Sequence, residues 1–265
     1  MEYVKRIANV DKRKRRDAIL SILSEHNIPF KLYGQIKNKH YTENIVVTVN
    51  PRKKRYVIGA HYDNVEGSIA AVDNASGVSV LLRLIFAVYS STDKAIDFVF
   101  FDREEYDDRG SEAYVESVGK DNIIAMLNLD PCGYGDTIAV HKMYRGNDEL
   151  LDKLFSAKVC SGLAIKMVDF MPNGDHMSFY GNGIKTVTVS AMSKELAECF
   201  NKIAAYCSFD NGYSGDTIPQ NLIDEFMNSY DMTTFHNGKN DKLETVSQKI
   251  MDSLVQYLTG VFLSH

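Results

Sequence analysis

The chain has 265 residues, 45% of them hydrophobic, enough to bury one sizeable core and compatible with one α/β domain. A formal charge of −5 and a pI near 5.8 create no global basic field, which removes nucleic acid as the default partner. No run approaches the roughly 18 apolar residues of a membrane span, and the charged start MEYVKRIANVDKRKRR carries no signal-like apolar segment, so no membrane association and a cytoplasmic location are expected.

The four cysteines, Cys132, Cys160, Cys199 and Cys207, form no C-x-x-C pair and are expected to be small buried hydrophobes in a reducing compartment. Two basic runs stand out, KRKRR at 12–16 and RKKR at 52–55; the first is expected to be the solvated face of a helix.

Asp11 is placed to cap that helix, whose apolar stripe carries Ala18, Ile19, Ile22 and Leu23. Residues 28–33 and 45–49 (IVVTV) read as strands joined by a polar turn at 37–43, an antiparallel edge leading to a buried strand at 56–58. That strand runs out at His61 and Asp63, whose side chains share one side because strand side chains alternate. Asp73 then opens the apolar run VSVLLRLIFAVY, a buried helix; taken alone, Asp73 reads as its N-cap more readily than as a metal ligand. Residues 95–101 (AIDFVFF) form another strand that stops at Asp102, Arg103, Glu104 and Glu105, and Ser111 is placed to cap the helix after it. A third apolar strand at 123–129 (IIAMLNL) ends at Asp130. Downstream come a strand at 137–140, a helix at 148–162, a strand at 165–170, an interruption at 173–176, a strand at 184–189 and a helix at 194–207. A long irregular stretch at 208–235 is of the kind that often carries function, and a helix at 243–262 closes the series. Strands alternating with helices predict an α/β domain with a mostly parallel central sheet.

Of seven histidines, His26 and His40 sit at helix-end or turn positions and His265 is the last residue, so all three are expected to face solvent; His141 follows a strand and stays undecided. His61, His176 and His236 each lie in a loop beside carboxylates. The set His61, Asp73, Glu104, Glu105, Asp130 and His236 offers nitrogen and oxygen donors with no thiolate, which suits zinc or a similar divalent ion in a catalytic site. It exceeds what one tetrahedral ion needs and fits two ions sharing a bridging carboxylate, with one carboxylate of the Glu104–Glu105 pair left as general base. Asp63 is placed to hold the His61 N–H opposite the metal. Singly, each acid reads equally as a strand-end cap or a surface charge. Crowded at one sheet edge, they require a neutralising cation.

These residues fall in a series of motifs: HYD at 61–63, DNASG at 73–77, EEYDDRGSEAY at 104–114, NLDPCG at 128–133, GDHMSF at 174–179 and FHNGKNDKLE at 235–244. In content and order the series resembles metallopeptidase family 28, the co-catalytic zinc aminopeptidases of the bacterial leucine aminopeptidase type. The resemblance implies a single three-layer domain, a mixed sheet between helices. It implies His61 and Asp130 on one zinc, Glu105 and His236 on the other, Asp73 bridging and Glu104 as general base, with cobalt or manganese as substitutes for zinc. Asp175 and His176 match a motif that lines the family's active site, which implies a substrate-side or supporting role; equally, Asp175 reads as the cap of a short helix and His176 as surface. Asp107, Asp108, Pro131 and Cys132 depart from the pattern at the pocket rim.

The implied reaction is release of the first residue from a peptide with a free N-terminus. Three rivals share the fold. A glutaminyl cyclase is disfavoured because the chain has no Trp and carries Phe235 before the last histidine. A non-catalytic binding module is disfavoured because every ligand position is kept. A carboxypeptidase would need a cationic pocket, for which Arg103, Arg109 and Arg145 are possible donors. In the 208–235 stretch, Tyr213, Phe226, Met227, Tyr230 and Met232 read equally as an apolar pocket and as core. Oligomeric state stays open.

Overall fold

The computed structural model describes residues 1–37, 39–106, 109–156, 159–160, 162–207 and 218–263. Two helices lead the chain, α1 (Glu2–Ile7) and α2 (Lys12–Glu25), and the Asp11 side chain caps the second by accepting the Arg13 N–H. Nine strands follow, interleaved with helices: β1 (Lys31–Lys37), β2 (His40–Val49), β3 (Arg55–His61), α3 (Ala75–Val88), β4 (Ile96–Phe101), α4 (Arg109–Val118), β5 (Ile123–Leu129), β6 (Thr137–Met143), β7 (Val159–Cys160), β8 (Leu163–Val168), α5 (His176–Tyr180), β9 (Lys185–Met192), α6 (Lys194–Ala204), α7 (Gln220–Met227) and α8 (Gln248–Leu263).

The strands form one sheet in the order β1-β2-β4-β3-β5-β9-β6-β8-β7. Its centre, β4-β3-β5-β9, is parallel, and both flanks bring in antiparallel neighbours, so the sheet is mixed with its parallel character concentrated where the chemistry-bearing loops leave. The central strands are buried on both faces, as their apolar runs require. One face packs against α1, α2, α3 and α8 in the main core, and the other against α4, α5 and α6 in two smaller clusters. The expected three-layer α/β domain is therefore present.

Several local expectations are corrected. The polar residues at 40–43 are strand, because β1 and β2 pair in register from Lys31 opposite Val46 out to Lys37 opposite His40. Asn74, not Asp73, caps α3: its Oδ1 accepts the Gly77 N–H at 2.9 Å. Ser111 lies buried inside α4 and its hydroxyl donates to Ser178 Oγ. The helix expected at 148–162 is a 3-10 turn, Leu151–Phe155, whose start is held by the Asp148 carboxylate accepting the Leu150 and Leu151 N–H groups. Val159 and Cys160 then pair with β8 at the sheet edge, which ends the helical run. A 3-10 turn at Leu243–Thr245 delays the last helix to Gln248.

The KRKRR run is not simply a solvated face. Lys12 pairs with buried Asp102 at 2.8 Å, Arg16 reaches Glu43, and Arg15 is fully buried. The Arg15 guanidinium donates to the carbonyls of Tyr62 (2.6 Å), Ile69 (2.8 Å) and Ala70 (3.2 Å), pinning the loop after β3. Burial lowers its pKa to about 10, still well above neutrality, so the charge persists inside. Cys132 and Cys199 are buried, Cys160 and Cys207 half-buried, and all four are free thiols.

Candidate metal centre

The site lies beyond the C-terminal ends of β3, β4 and β5, where parallel strands of an open sheet leave a crevice. In the register, His61 stands opposite Phe101, so the loops leaving β3 and β4 start level with each other. Asp130 follows directly on β5. Asn74 links these segments: its Nδ2 donates to the Leu129 carbonyl at 2.9 Å, which holds Asp73 beside Asp130. Gly77 is needed at that crossing, since a Cβ there would come within 2.2 Å of Asn74 Oδ1 and 2.6 Å of the Leu129 oxygen.

His61, Asp73 and Glu105 each bring a donor atom within 4.8 Å of one another. His61 Nε2 lies 3.2 Å from Asp73 Oδ1, 3.5 Å from Asp130 Oδ1 and 4.0 Å from Glu104 Oε2. On the other side, His236 Nδ1 meets Glu105 Oε2 at 2.8 Å while the His236 N–H donates to Asp73 Oδ2 at 3.1 Å. Asp73 thus turns one oxygen to the His61–Asp130 pair and the other to the Glu105–His236 pair. Asp63, wholly buried, stands 3.4 Å from His61 Nδ1 and accepts the N–H groups of Glu104 (3.1 Å) and Glu105 (3.2 Å) through its two oxygens. It orients three site residues at once.

The supporting backbone is unusual. Ala70, Arg103 and His236 adopt positive φ (46°, 67° and 44°), a conformation that costs a non-glycine residue about 1–3 kcal/mol and persists only where the surroundings enforce it. All three lie in the loops that carry ligand candidates. Asp241 is the part that sequence reasoning missed: its carboxylate accepts the Val72 N–H (2.8 Å), the Asp73 N–H (3.3 Å) and the Ser68 hydroxyl (2.9 Å), fixing the backbone under Asp73.

The electrostatics show why this arrangement calls for a cation. Burial raises the pKa of Glu104, Glu105 and Asp130, Glu104 well above the ordinary carboxylate range, with Asp130 and Asp175 adding to it. Burial would raise Asp73 too, but His61 and His236 hold it below its usual value. Burial opposes protonation of His61, yet Asp130 and Glu104 lift its pKa well above normal. The hydrogen bond to Glu105 raises His236 to about 9. Protons are thus retained on groups whose crowded negative charge a divalent ion would otherwise balance. Two imidazoles and four carboxylates with no thiolate form a donor set that fits zinc.

A cavity of about 280 Å³ opens onto this cluster, sharing Asp73, Glu104, Asp130 and His236 with it. His176 lines it and is buried, which overturns the surface alternative; Asp175 occupies the N-cap position of α5 without a capping bond from its side chain. Gly174 gives room here, because a Cβ would sit 3.3 Å from Glu104 Oε1 and 3.5 Å from Asp130 Oδ2. Of the residues weighed for an apolar pocket, Phe226 and Met232 line the cavity, whereas Met227 and Tyr230 are exposed. Among the described residues no lysine or arginine lines it: Arg103 stacks 5.3 Å over Tyr106 and Arg145 is exposed. His141, left undecided by sequence, is buried on β6. Residues 208–217 with Tyr213, the acids Asp107 and Asp108, the Arg109 side chain and His265 lie outside the described residues. Among those described, no helix is long and apolar enough to cross a membrane.

Comparison with known proteins gives three kinds of similarity. The sequence model of Peptidase family M28 matches residues 44–259. Among curated relatives, a "Vacuolar membrane protease" of Candida albicans is 29% identical over 132 residues, 48% of this chain and 15% of that protein, so the chain spans only about one-seventh of that relative. Among solved structures, a zinc aminopeptidase from Bacillus subtilis superposes with a TM-score of 0.60 at 20% identity, covering 84% of this chain and 50% of that one. A glutaminyl cyclase from Porphyromonas gingivalis reaches 0.69 at 17% identity, covering 98% and 95%. At those identities, the structural likeness establishes the shared fold.

Proposed function

The chain belongs to peptidase family M28, and from that premise we propose that it is a metal-dependent aminopeptidase acting on peptides with a free N-terminus. The observation that carries this reading is the junction of the acidic cluster with the cavity: Asp73, Glu104, Asp130 and His236 belong to both. A peptide laid across that junction puts its N-terminal side chain in the cavity and its α-ammonium among carboxylates, which favour a cation at that point. Two zinc ions, one held by His61 and Asp130, the other by Glu105 and His236, with Asp73 between them, would supply Lewis acidity toward the scissile carbonyl and acidify the attacking water.

The protein's own groups do the rest. Glu104 stands 4.0 Å from His61 Nε2 and makes no ion pair with lysine or arginine among the described residues, so its carboxylate is free to take a proton from water and return it to the leaving amine. Asp63 keeps Glu104, Glu105 and His61 in register. The absence of a cationic lining residue among those described argues against a carboxypeptidase.

The test is a panel of aminoacyl chromogenic substrates with and without divalent metal, beside their N-acetylated forms and a peptide with N-terminal glutamine. Cleavage of the free amines only, abolished by chelation, is the expected result; equal cleavage of blocked substrates overturns the aminopeptidase reading, and cyclised product in place of hydrolysis makes the protein an acyltransferase. Glu104→Gln should bind zinc like the parent yet lose roughly 10²- to 10⁴-fold in kcat.

A further inference from the structure

The cavity beside the cluster has two chemically distinct parts. Its walls are apolar, built from Met171, Met192, Phe200, Phe226, Met232 and Phe235. Its floor is polar, built from Asn128 of β5, Thr188 of β9 and His176 at the start of α5. Asn128 stands opposite Thr188 in the parallel register, so their side chains rise from the same face of the sheet, beneath α5.

All three floor residues are almost wholly buried, yet Asn128 Oδ1, Thr188 Oγ1 and both ring nitrogens of His176 have no hydrogen-bond partner in the protein. Buried polar atoms are paired in the great majority of cases. Four orphans on the floor of one cavity therefore need partners from outside the chain. A pocket for a purely aliphatic side chain would be lined at its end as it is along its walls.

The floor also carries no charge. Burial lowers the His176 pKa to about 3, so the imidazole is neutral with one nitrogen donating and the other accepting. The cavity is also lined by Asp73, Glu104 and Asp130, which repel an anionic side chain. A cationic tip would give up its hydration against neutral groups. We infer that the cavity selects an N-terminal residue with an unbranched apolar stem and a neutral hydrogen-bonding tip, its stem against the methionine and phenylalanine walls and its tip on Asn128, Thr188 and His176. This selectivity rests on the aminopeptidase reading for its orientation.

Glutamine and methionine test it as a pair, because they match in length and differ in the tip. The zinc-loaded protein should show kcat/KM for glutaminyl over methionyl amidocoumarin at least tenfold in favour of glutamine. Thr188→Val, which keeps the shape and removes the hydroxyl, should lower that ratio about tenfold or more, and Asn128→Leu should do likewise. A wild-type ratio at or below one, unchanged in Thr188→Val, overturns the inference and means that ordered water satisfies the floor. A second measurement reads selectivity without turnover: calorimetric binding of glutamine amide and methionine amide to zinc-loaded Glu104→Gln, in which equal affinities refute the selectivity. Failure of every free-amine substrate with a tenfold preference for glutamine amide would sink the peptidase reading alone, and cyclised glutamine would keep the selectivity while refuting hydrolysis.

Discussion

Replacing Asp241 by alanine should damage a site whose ligands it never touches as a side chain. Three donors point at its carboxylate, the Val72 N–H at 2.8 Å, the Ser68 hydroxyl at 2.9 Å and the Asp73 N–H at 3.3 Å. Each would be left buried without an acceptor, at about 1–3 kcal/mol apiece before relaxation. These contributions share one loop and do not add fully, so an overall loss of about 3 kcal/mol in unfolding free energy is expected from the chelator-treated protein. Asp241→Asn should separate two roles. Burial, then the nearby Asp73 charge, raises the Asp241 pKa, so in the metal-free protein a neutral amide of the same shape costs roughly 1 kcal/mol or less. Once a cation balances Asp73, that repulsion is outweighed and the missing charge is felt as zinc affinity lower by about 10- to 100-fold. Urea unfolding followed by circular dichroism measures the first quantity, and competition with a chromophoric chelator the second. An alanine variant within ~0.5 kcal/mol of the parent, with unchanged zinc affinity, would refute the claim that Asp241 fixes the Asp73 backbone.

Arg15→Met should cost about 2–4 kcal/mol, because two buried carbonyls and one half-buried carbonyl lose their donor, and Arg15→Lys should recover little, since one ammonium cannot serve Tyr62, Ile69 and Ala70 together; near-parental urea stability in the lysine variant would contradict this. The metal-free protein should lose stability as pH rises from about 6.5 to 9: His236 has a folded pKa raised from 6.5 to about 9, so its contribution is complete below the lower value and gone above the upper. Its ring is 67% exposed, so the change is small, and a flat thermal midpoint across that window in wild type but not in a Glu105→Gln control would tell against the pairing. For the same reason zinc uptake at pH 7 should release protons, measurable as a dependence of the binding heat on buffer ionisation enthalpy.

Three of the site candidates, His61, Glu104 and Asp130, were legible because they lie where an apolar run stops. Strand ends at His61, Glu104 and Asp130 are visible as breaks in hydrophobic periodicity, and the structure brings those breaks to one sheet edge. What supports the ligands was less visible. Asp241 sits in a polar stretch, HNGKNDK, that reads as a solvated turn. Arg15 was hidden inside a charge run, although its spacing from Ile19 and Ile22 places it on the buried stripe, a signal that helical periodicity does contain. Asn74 was passed over for its neighbour Asp73, because both residue types cap helices and only the geometry shows which one does. The helix expected at 148–162 failed for a different reason: Leu150, Leu151 and Leu154 are buried at helical spacing, but pairing with β8 outcompetes continuation. Thr188 carried no sequence signal and Asn128 only its place in the NLDPCG motif, since a polar residue within a strand says nothing about what its row of neighbours encloses.

The division of Asp73 between an early pair and a late one has a consequence for how the protein is made. Asp73 Oδ2 is held by the backbone of His236, and the N–H of Asp73 itself by Asp241. At about 5–20 residues per second, a ribosome that has just finished His61 works for roughly ten to thirty-five seconds before it reaches His236. For most of that interval, once Asp130 has been added, the nascent chain holds His61, Asp73, Glu104, Glu105 and Asp130 and lacks His236 alone. Proteolytic competence would therefore arrive only with His236, after every strand among the described residues has been made, so that a chain still short of that residue is spared a working peptidase in its midst.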